Sequence, residues 1–163
     1  MALDKNYIDT TDISVVMPAV DYYKRHGNAD EKLRAYFYLG RIYQNDGKLD
    51  KAAVAYSLAE EAAEDANDEV QKGLLYMNFS FIYNKVHNTN KELEYARKGL
   101  ASYQEVNDTS HINLAYCDLA LSYHSKLYLL NADSLYSLGI EKAKYDTLVE
   151  INLLSNYAKM KMI

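Results

Sequence analysis

Apolar and aromatic residues recur along the chain at helical spacing. In the segment 35–43, Tyr36, Leu39 and Tyr43 stand at positions i, i+3 and i+7, which places their side chains on one face of a helix. Stripes of this kind predict an all-α protein of about eight helices. The predicted ranges are 12–26, 31–45, 49–66, 69–87, 91–106, 110–128, 132–144 and 148–162.

The same phrase returns every 40 residues. It begins at Tyr36, Tyr76 and Tyr116, and in each copy a bulky apolar residue, a small residue and a second tyrosine follow three, four and seven positions later. A fixed period of this length is typical of repeat proteins, in which each unit stacks on the next. Each unit reads as helix, short turn, helix and longer turn, so the sequence predicts stacked antiparallel helix pairs.

Local signals refine the ends and contacts of these helices. A glycine inside a helix costs about 1 kcal/mol relative to alanine, so Gly40 predicts that a packing partner comes very close. Gly47 follows the first repeat helix and predicts a left-handed C-terminal residue. The segments 68–71 and 147–150 have the residue types and spacing of capping boxes, which predicts that helices begin there.

Composition narrows the possible functions. A chain of 163 residues can bury a continuous core as one domain. The net charge of −5, with both signs interspersed, does not provide the basic surface that nucleic-acid binding needs. The apolar runs are too short to span a membrane, and no signal peptide is visible. The compartment stays open: cytoplasmic, or associated with the cell envelope if the chain is a fragment of a longer protein.

The repeated phrase resembles the tetratricopeptide repeat, in which an aromatic residue, a Leu-Gly pair, a tyrosine and later alanines recur. The first unit also carries Gly47, Leu49, Ala52, Tyr56 and Ala59. The resemblance divides one domain, 1–163, into a lead-in and half repeat at 1–29, repeats at about 30–67, 68–107 and 108–146, and a partial repeat at 147–163. It implies a right-handed superhelix of helix pairs.

The chain departs from that family pattern in two ways, in the length of its period and in its second repeat. The period of 40, longer than the usual period of about 34 residues, resembles a long-helix variant and suggests a fragment of a bacterial regulator. The second repeat differs most, because Glu92 stands where a small residue is expected and Ala96 where a ring is expected. We therefore expect looser packing there, with Tyr95 filling the space.

The resemblance also implies a binding surface, since the first helix of each pair lines the concave face in this family. Transferred position by position, that face has an apolar centre and a rim of amides and charges, which suits a peptide or a partner helix. The predicted partner-binding residues are Arg34, Phe37, Arg41, Gln44, Asn45, Leu74, Met77, Asn78, Phe81, Asn84, Lys85, Leu114, Cys117, Asp118, Leu121, His124 and Ser125. The family's carboxylate clamp is not expected, because only Asn78 matches it.

Other interpretations of the same residues stay open. The face residues could serve only to pack a tight superhelix. Alternatively, the chain could be a structural segment that forms a homodimer through the helix 148–162, whose end carries Met160, Met162 and Ile163. The sequence favours a scaffold that binds a protein partner over either of these.

Catalytic and metal chemistry have little support in the sequence. The four histidines, His26, His87, His111 and His124, do not share the spacing of a metal site. Cys117 is the only cysteine, and no third residue is evident that would orient a histidine beside it. We therefore expect no enzyme activity, no cofactor and no metal ion.

Overall fold

The computed structural model describes residues 10–143 and 147–162, which form eight α-helices and contain no strand. The prediction of an all-α protein built from adjacent helix pairs is therefore confirmed. The helices are α1 (Met17–His26), α2 (Ala29–Asn45), α3 (Leu49–Ala63), α4 (Glu69–Lys85), α5 (Thr89–Glu105), α6 (Thr109–Ser125), α7 (Leu129–Lys142) and α8 (Thr147–Lys161).

The first helix begins later than predicted. A short 3-10 turn, Ile13–Val15, occupies the start of the predicted range 12–26, and its N-cap Asp12 accepts a hydrogen bond from the backbone N–H of Ser14 at 2.9 Å. The helix α1 then starts at Met17, with Pro18 in its first turn, where a missing N–H costs nothing. Local side-chain bonding has replaced one helical turn by a tighter one.

The first helix of each repeat starts on an Asn or Asp side chain, and these N-caps keep the 40-residue step. The cap oxygens of Asn28, Asp68 and Asp108 each accept the backbone N–H three residues later, at 2.9, 3.0 and 3.1 Å. Such a cap satisfies a backbone donor that the helix leaves free. The capping box predicted at 68–71 forms only in part. The Asp68 side chain caps the helix, but the Asp68 backbone N–H donates to Asp30 Oδ1 at 2.9 Å and not to the side chain of Gln71. The other predicted box, at 147–150, stays a prediction, because the residues before Thr147 lie outside the described part of the chain.

The short turn inside each pair contains one residue with positive φ, again at 40-residue steps. These residues are Gly47, His87 and Leu127, with φ of 71°, 56° and 60°. The prediction for Gly47 is confirmed. Leucine is a poor choice at this position, because its Cβ crowds the following carbonyl in the left-handed region. The Leu127 side chain gains little in return, since it is 76% exposed.

Replacing Leu127 with glycine is expected to raise the free energy of unfolding by about 1 kcal/mol. Relief of backbone strain should outweigh the added freedom of glycine in the unfolded chain. Urea denaturation followed by circular dichroism would measure the change. The matched substitution Gly47→Leu should shift stability the opposite way, and equal stability of Leu127→Gly and the parent protein would contradict the expectation.

The chain divides into two compact units, Met1–Leu75 and Tyr76–Ile163, and α4 runs through the boundary. In the first unit, α1 packs on α2 and α2 packs on α3. Val16 and Val20 join the apolar face of α2 in its core. The superhelical stacking predicted for one continuous array stays a prediction.

Gly40 confirms the close approach expected from the sequence. A Cβ at this position would lie 2.3 Å from Cε1 of Tyr56, so only glycine leaves room for the ring as it stands. Tyr56 is fully buried, and its hydroxyl donates a hydrogen bond to Gln44 Oε1 at 2.9 Å. The small residue in the first helix and the ring in the second therefore form one contact.

In the second unit, α6 packs against α5, α7 and α8. The missing ring at Ala96 is replaced from the next position, as the sequence predicts: Tyr95 is buried and stacks on Phe79 and Tyr83, with ring centroids 4.7 and 5.4 Å apart. Met77 covers Gly99, where a Cβ would lie 2.5 Å from the Met77 Cε. Larger side chains at neighbouring positions thus fill the space that the repeat pattern leaves open.

The last helix uses its methionines differently from the expectation. Met160 is buried in the core beside Leu153, so it is not available to another molecule. α8 instead exposes Ile151 and Leu154, and Met162, directly after the helix, is also exposed. Ile163 lies outside the described residues, and the homodimer stays a prediction.

Candidate functional site

In the first unit, several predicted partner-binding residues bond within the protein. Phe37 is only 3% exposed, and its ring centroid lies 5.9 Å from that of Tyr56, so it belongs to the core. Gln44 is held by the Tyr56 hydroxyl. Arg34 is exposed and forms an ion pair with Asp68, with Nε 3.1 Å from Oδ2. The other three are Arg41 and Leu74, which are half-buried, and Asn45, which is exposed and donates to the Thr10 carbonyl at 3.4 Å.

In the second unit, the structure brings together predicted residues from α4 and α6. Asn84 Nδ2 lies 3.5 Å from Ser125 Oγ, which joins the C-terminal parts of the two helices. One turn before Asn84, Phe81 is 41% exposed. The Lys85 ammonium lies 5.0 Å from the Phe81 ring centroid, within the range of a cation–π contact. We call the exposed strip formed by Phe81, Asn84, Lys85 and Ser125 the α4–α6 face.

The other predicted residues of this unit are buried or half-buried, with the exception of Leu114. Cys117 is buried, and its Sγ lies 3.4 Å from Asn156 Nδ2. Burial raises the pKa of the Cys117 thiol to about 11, so the thiol is protonated at neutral pH and is a poor nucleophile. The half-buried members are Met77, Asn78, Asp118, Leu121 and His124, and the exposed one is Leu114.

Beneath the α4–α6 face lies a buried carboxylate that was not predicted as a site residue. Glu92, in the first turn of α5, is only 2% exposed. Its Oε1 accepts hydrogen bonds from Asn84 Nδ2 at 3.0 Å and from Ser125 Oγ at 3.1 Å. Its Oε2 is buried and has no hydrogen-bond partner among the described residues. Burying a carboxylate with one oxygen unsatisfied is costly, so this arrangement calls for an explanation.

Two further polar groups extend this cluster: Asp118 interacts with Glu92, and Tyr136 interacts with Asp118. Asp118 is half-buried on α6, and burial together with the negative charge of Glu92 raises its pKa to about 7. Tyr136 on α7 is fully buried, and its hydroxyl has no hydrogen-bond partner within the described part of the chain. Burial raises the pKa of Tyr136, with smaller contributions from Cys117 and Asp118. We call the group of Glu92, Asp118 and Tyr136 the acidic pocket.

The sequence did contain a signal for this pocket. On the 40-residue step, Glu92 corresponds to Ala52 and Ala132, both fully buried. A carboxylate where the other repeats bury a methyl group indicates a local requirement that packing does not explain. Looser packing was expected at this position, whereas Glu92 is enclosed and bonded to both helices of the face.

In residues 10–143 and 147–162, no three His, Cys, Asp or Glu side chains are grouped so that they could hold a metal ion. Over the same residues, no helix combines the length and apolarity needed to cross a membrane.

No protein-family model matches the chain, and no curated protein resembles it at a significant level. The link to the tetratricopeptide repeat therefore depends on the repeated residues themselves.

Proposed function

We propose that the protein is a non-enzymatic scaffold of tetratricopeptide-like helix pairs that binds a peptide or a partner helix. In the second unit, the α4–α6 face is the surface that would receive the partner. The observation that carries this proposal is the joining of α4 and α6 through Asn84 and Ser125, next to the exposed ring of Phe81.

Several properties of the face support this role. An exposed aromatic ring bordered by amide, hydroxyl and ammonium groups can supply both an apolar anchor and hydrogen bonds to a peptide backbone. The face lies on two regular helices, which hold its side chains in fixed positions. The polar residues beneath Asn84 and Ser125 further restrict how these two side chains can point.

Replacing Phe81 with glutamate is expected to weaken peptide binding by about tenfold or more, because it puts a solvated charge where an aromatic anchor is needed. The probe is a library of random dodecapeptides displayed on phage and selected on the immobilised protein. Affinities of the selected peptides would then be measured by isothermal titration calorimetry. Phe81→Ala serves as a second variant that introduces no charge.

The matched control is Val54→Glu, which places the same charge at an exposed apolar position on α3. It should leave the affinity unchanged. Circular dichroism would show that each variant keeps its helices. If the selected peptides bind Phe81→Glu as tightly as the parent protein, the α4–α6 face is not the binding surface.

A further inference from the structure

The acidic pocket has properties that a purely structural cluster does not need. A buried carboxylate in a packing role normally has both oxygens paired, because an unpaired oxygen loses its hydration without compensation. Here Glu92 Oε2 and the Tyr136 hydroxyl are both buried and without a partner among the described residues. The second carboxylate, Asp118, adds negative charge to the same place and is pushed towards its neutral form. The pocket therefore lacks a positively charged donor.

We propose that the acidic pocket receives the cationic end of a lysine or arginine side chain from the bound partner. This inference depends on the proposed function, since the same partner would lie on the α4–α6 face. An ammonium or guanidinium group would donate to Glu92 Oε2 and Asp118, and these charge-assisted bonds are stronger than neutral ones. The excess negative charge of the chain, −5, also favours a basic partner.

The neighbouring groups offer an entrance. Asn84 and Ser125 are exposed and lie directly over Glu92. The contact between them, at 3.5 Å, is the longest of the three that tie this network together, so we expect a cation to reach the carboxylate where these two side chains separate. Lys85 already places an ammonium 5.0 Å from the Phe81 ring, so the rim of the same face accommodates a cation.

Cation binding would be linked to proton release. A positive charge bound beside Asp118 stabilises the ionised form of this carboxyl. Since the carboxyl is partly protonated near its pKa of about 7, the protein releases a proton when the cation binds. The titratable groups that interact with Asp118 are Glu92 and Tyr103 on α5, Cys117 on α6 and Tyr136 on α7. All are acids, and among the described residues no cation lowers the pKa of Asp118. Affinity should therefore rise between about pH 6 and about pH 8.

The test begins with the random dodecapeptide library, selected on the parent protein and on the double variant Glu92→Gln, Asp118→Asn. Selected peptides should carry a recurrent lysine or arginine on the parent protein and lose that preference on the double variant. Glu94→Gln is the matched control, because Glu94 is an exposed carboxylate on the same helix. It should select the same peptides as the parent protein.

The strongest peptide is then compared with its neutral analogue, in which arginine is replaced by citrulline or lysine by acetyl-lysine. On the parent protein, neutralisation should lower the affinity by about tenfold or more. On the double variant, the two peptides should bind about equally. Calorimetry in buffers of different ionisation enthalpy should show proton release with the parent protein, and none with Asp118→Asn. If Glu92→Gln prevents folding, Asp118→Asn alone still supports the comparison.

The possible failures are distinguishable. If peptides bind, and Phe81→Glu abolishes their binding, but neither charge neutralisation nor the double variant weakens it, this inference is overturned and the proposed function stands. If the library yields no peptide that binds above background, both the proposed function and this inference are overturned. Comparison of the citrulline and acetyl-lysine analogues shows which of the two cationic side chains the pocket takes.

Discussion

Replacing Asp118 with asparagine is expected to stabilise the second unit at pH 8 by an amount on the order of 2–4 kcal/mol. The folded-state pKa of about 7, raised by burial and by the charge of Glu92, lies well above the ordinary value of 3.8. Asparagine is nearly the same size as aspartate and cannot ionise. It therefore removes the free-energy cost of placing a second negative charge in the acidic pocket.

The pH dependence of this effect has a definite sign. When the folded pKa is raised, the contribution of Asp118 to stability is fully present below about pH 4, and it is lost as the pH rises towards about 7. Parent and Asp118→Asn proteins should therefore match near pH 4 and diverge above it. Hydrogen–deuterium exchange in α5 and α6, measured across this range, would report the opening free energy of the second unit itself.

The control for this experiment is Asp133→Asn. The carboxyl of Asp133 has a lowered pKa, because it accepts hydrogen bonds from Lys161 and Tyr157. Removing its charge should leave stability at pH 8 unchanged or slightly reduced. Coincident pH profiles for Asp118→Asn and the parent protein would mean that Asp118 ionises as freely in the folded state as in the unfolded chain.

Replacing Gly40 with alanine is expected to lower the free energy of unfolding of the first unit by about 1–3 kcal/mol. The new Cβ would stand 2.3 Å from the Tyr56 ring, which is fully buried and held by its hydrogen bond to Gln44. The ring must shift, and the gain in helix propensity offsets only about 1 kcal/mol. Ala120 faces Tyr136 at the equivalent place in the second unit, so the ring can adjust and unfolding outright is not expected.

A double-mutant cycle would test this explanation. In a Tyr56→Leu background the obstructing ring is gone, so Gly40→Ala should be neutral or stabilising when measured by urea denaturation. The coupling between the two sites should then account for most of the cost of the single substitution. An equal cost in both backgrounds would show that the loss comes from the helix and not from the contact with Tyr56.

The fold was predictable because the residues that specify it are repeated. The 40-residue step identified the helix pairs, Gly47 identified a left-handed turn, and Gly40 identified a close contact. The errors lie at helix ends, where side-chain bonding decides the outcome. Asn28 and Glu31 form a capping box that starts α2 at Ala29, earlier than the predicted residue 31. Asp12 caps a 3-10 turn in place of a helical one.

The candidate site was predictable only in part. The family pattern placed Phe81 and Asn84 on the predicted binding face, and both side chains are exposed in the structure. It could not show that Phe37 is in the core, because the burial of a side chain is decided by its neighbours from other helices. The acidic pocket depends on three different helices, and its members are far apart in the sequence. Only the substitution of Glu92 for a small residue marked it.

The N-caps and the left-handed turns repeat with the same 40-residue spacing, which indicates where the chain tolerates insertions or deletions. Inside each pair, the distance along the sequence from the N-cap to the left-handed turn is constant. The caps are Asn28, Asp68 and Asp108, and the turns are Gly47, His87 and Leu127. An insertion between cap and turn would rotate one packing face of the helix away from the other. The chain itself departs from the step only later. α7 begins at Leu129, 40 residues after α5 begins at Thr89, but α8 begins at Thr147, 38 residues after α6 begins at Thr109. The step is therefore two residues shorter at α8, and we expect a change of length between two pairs to leave the helix contacts within each pair unchanged.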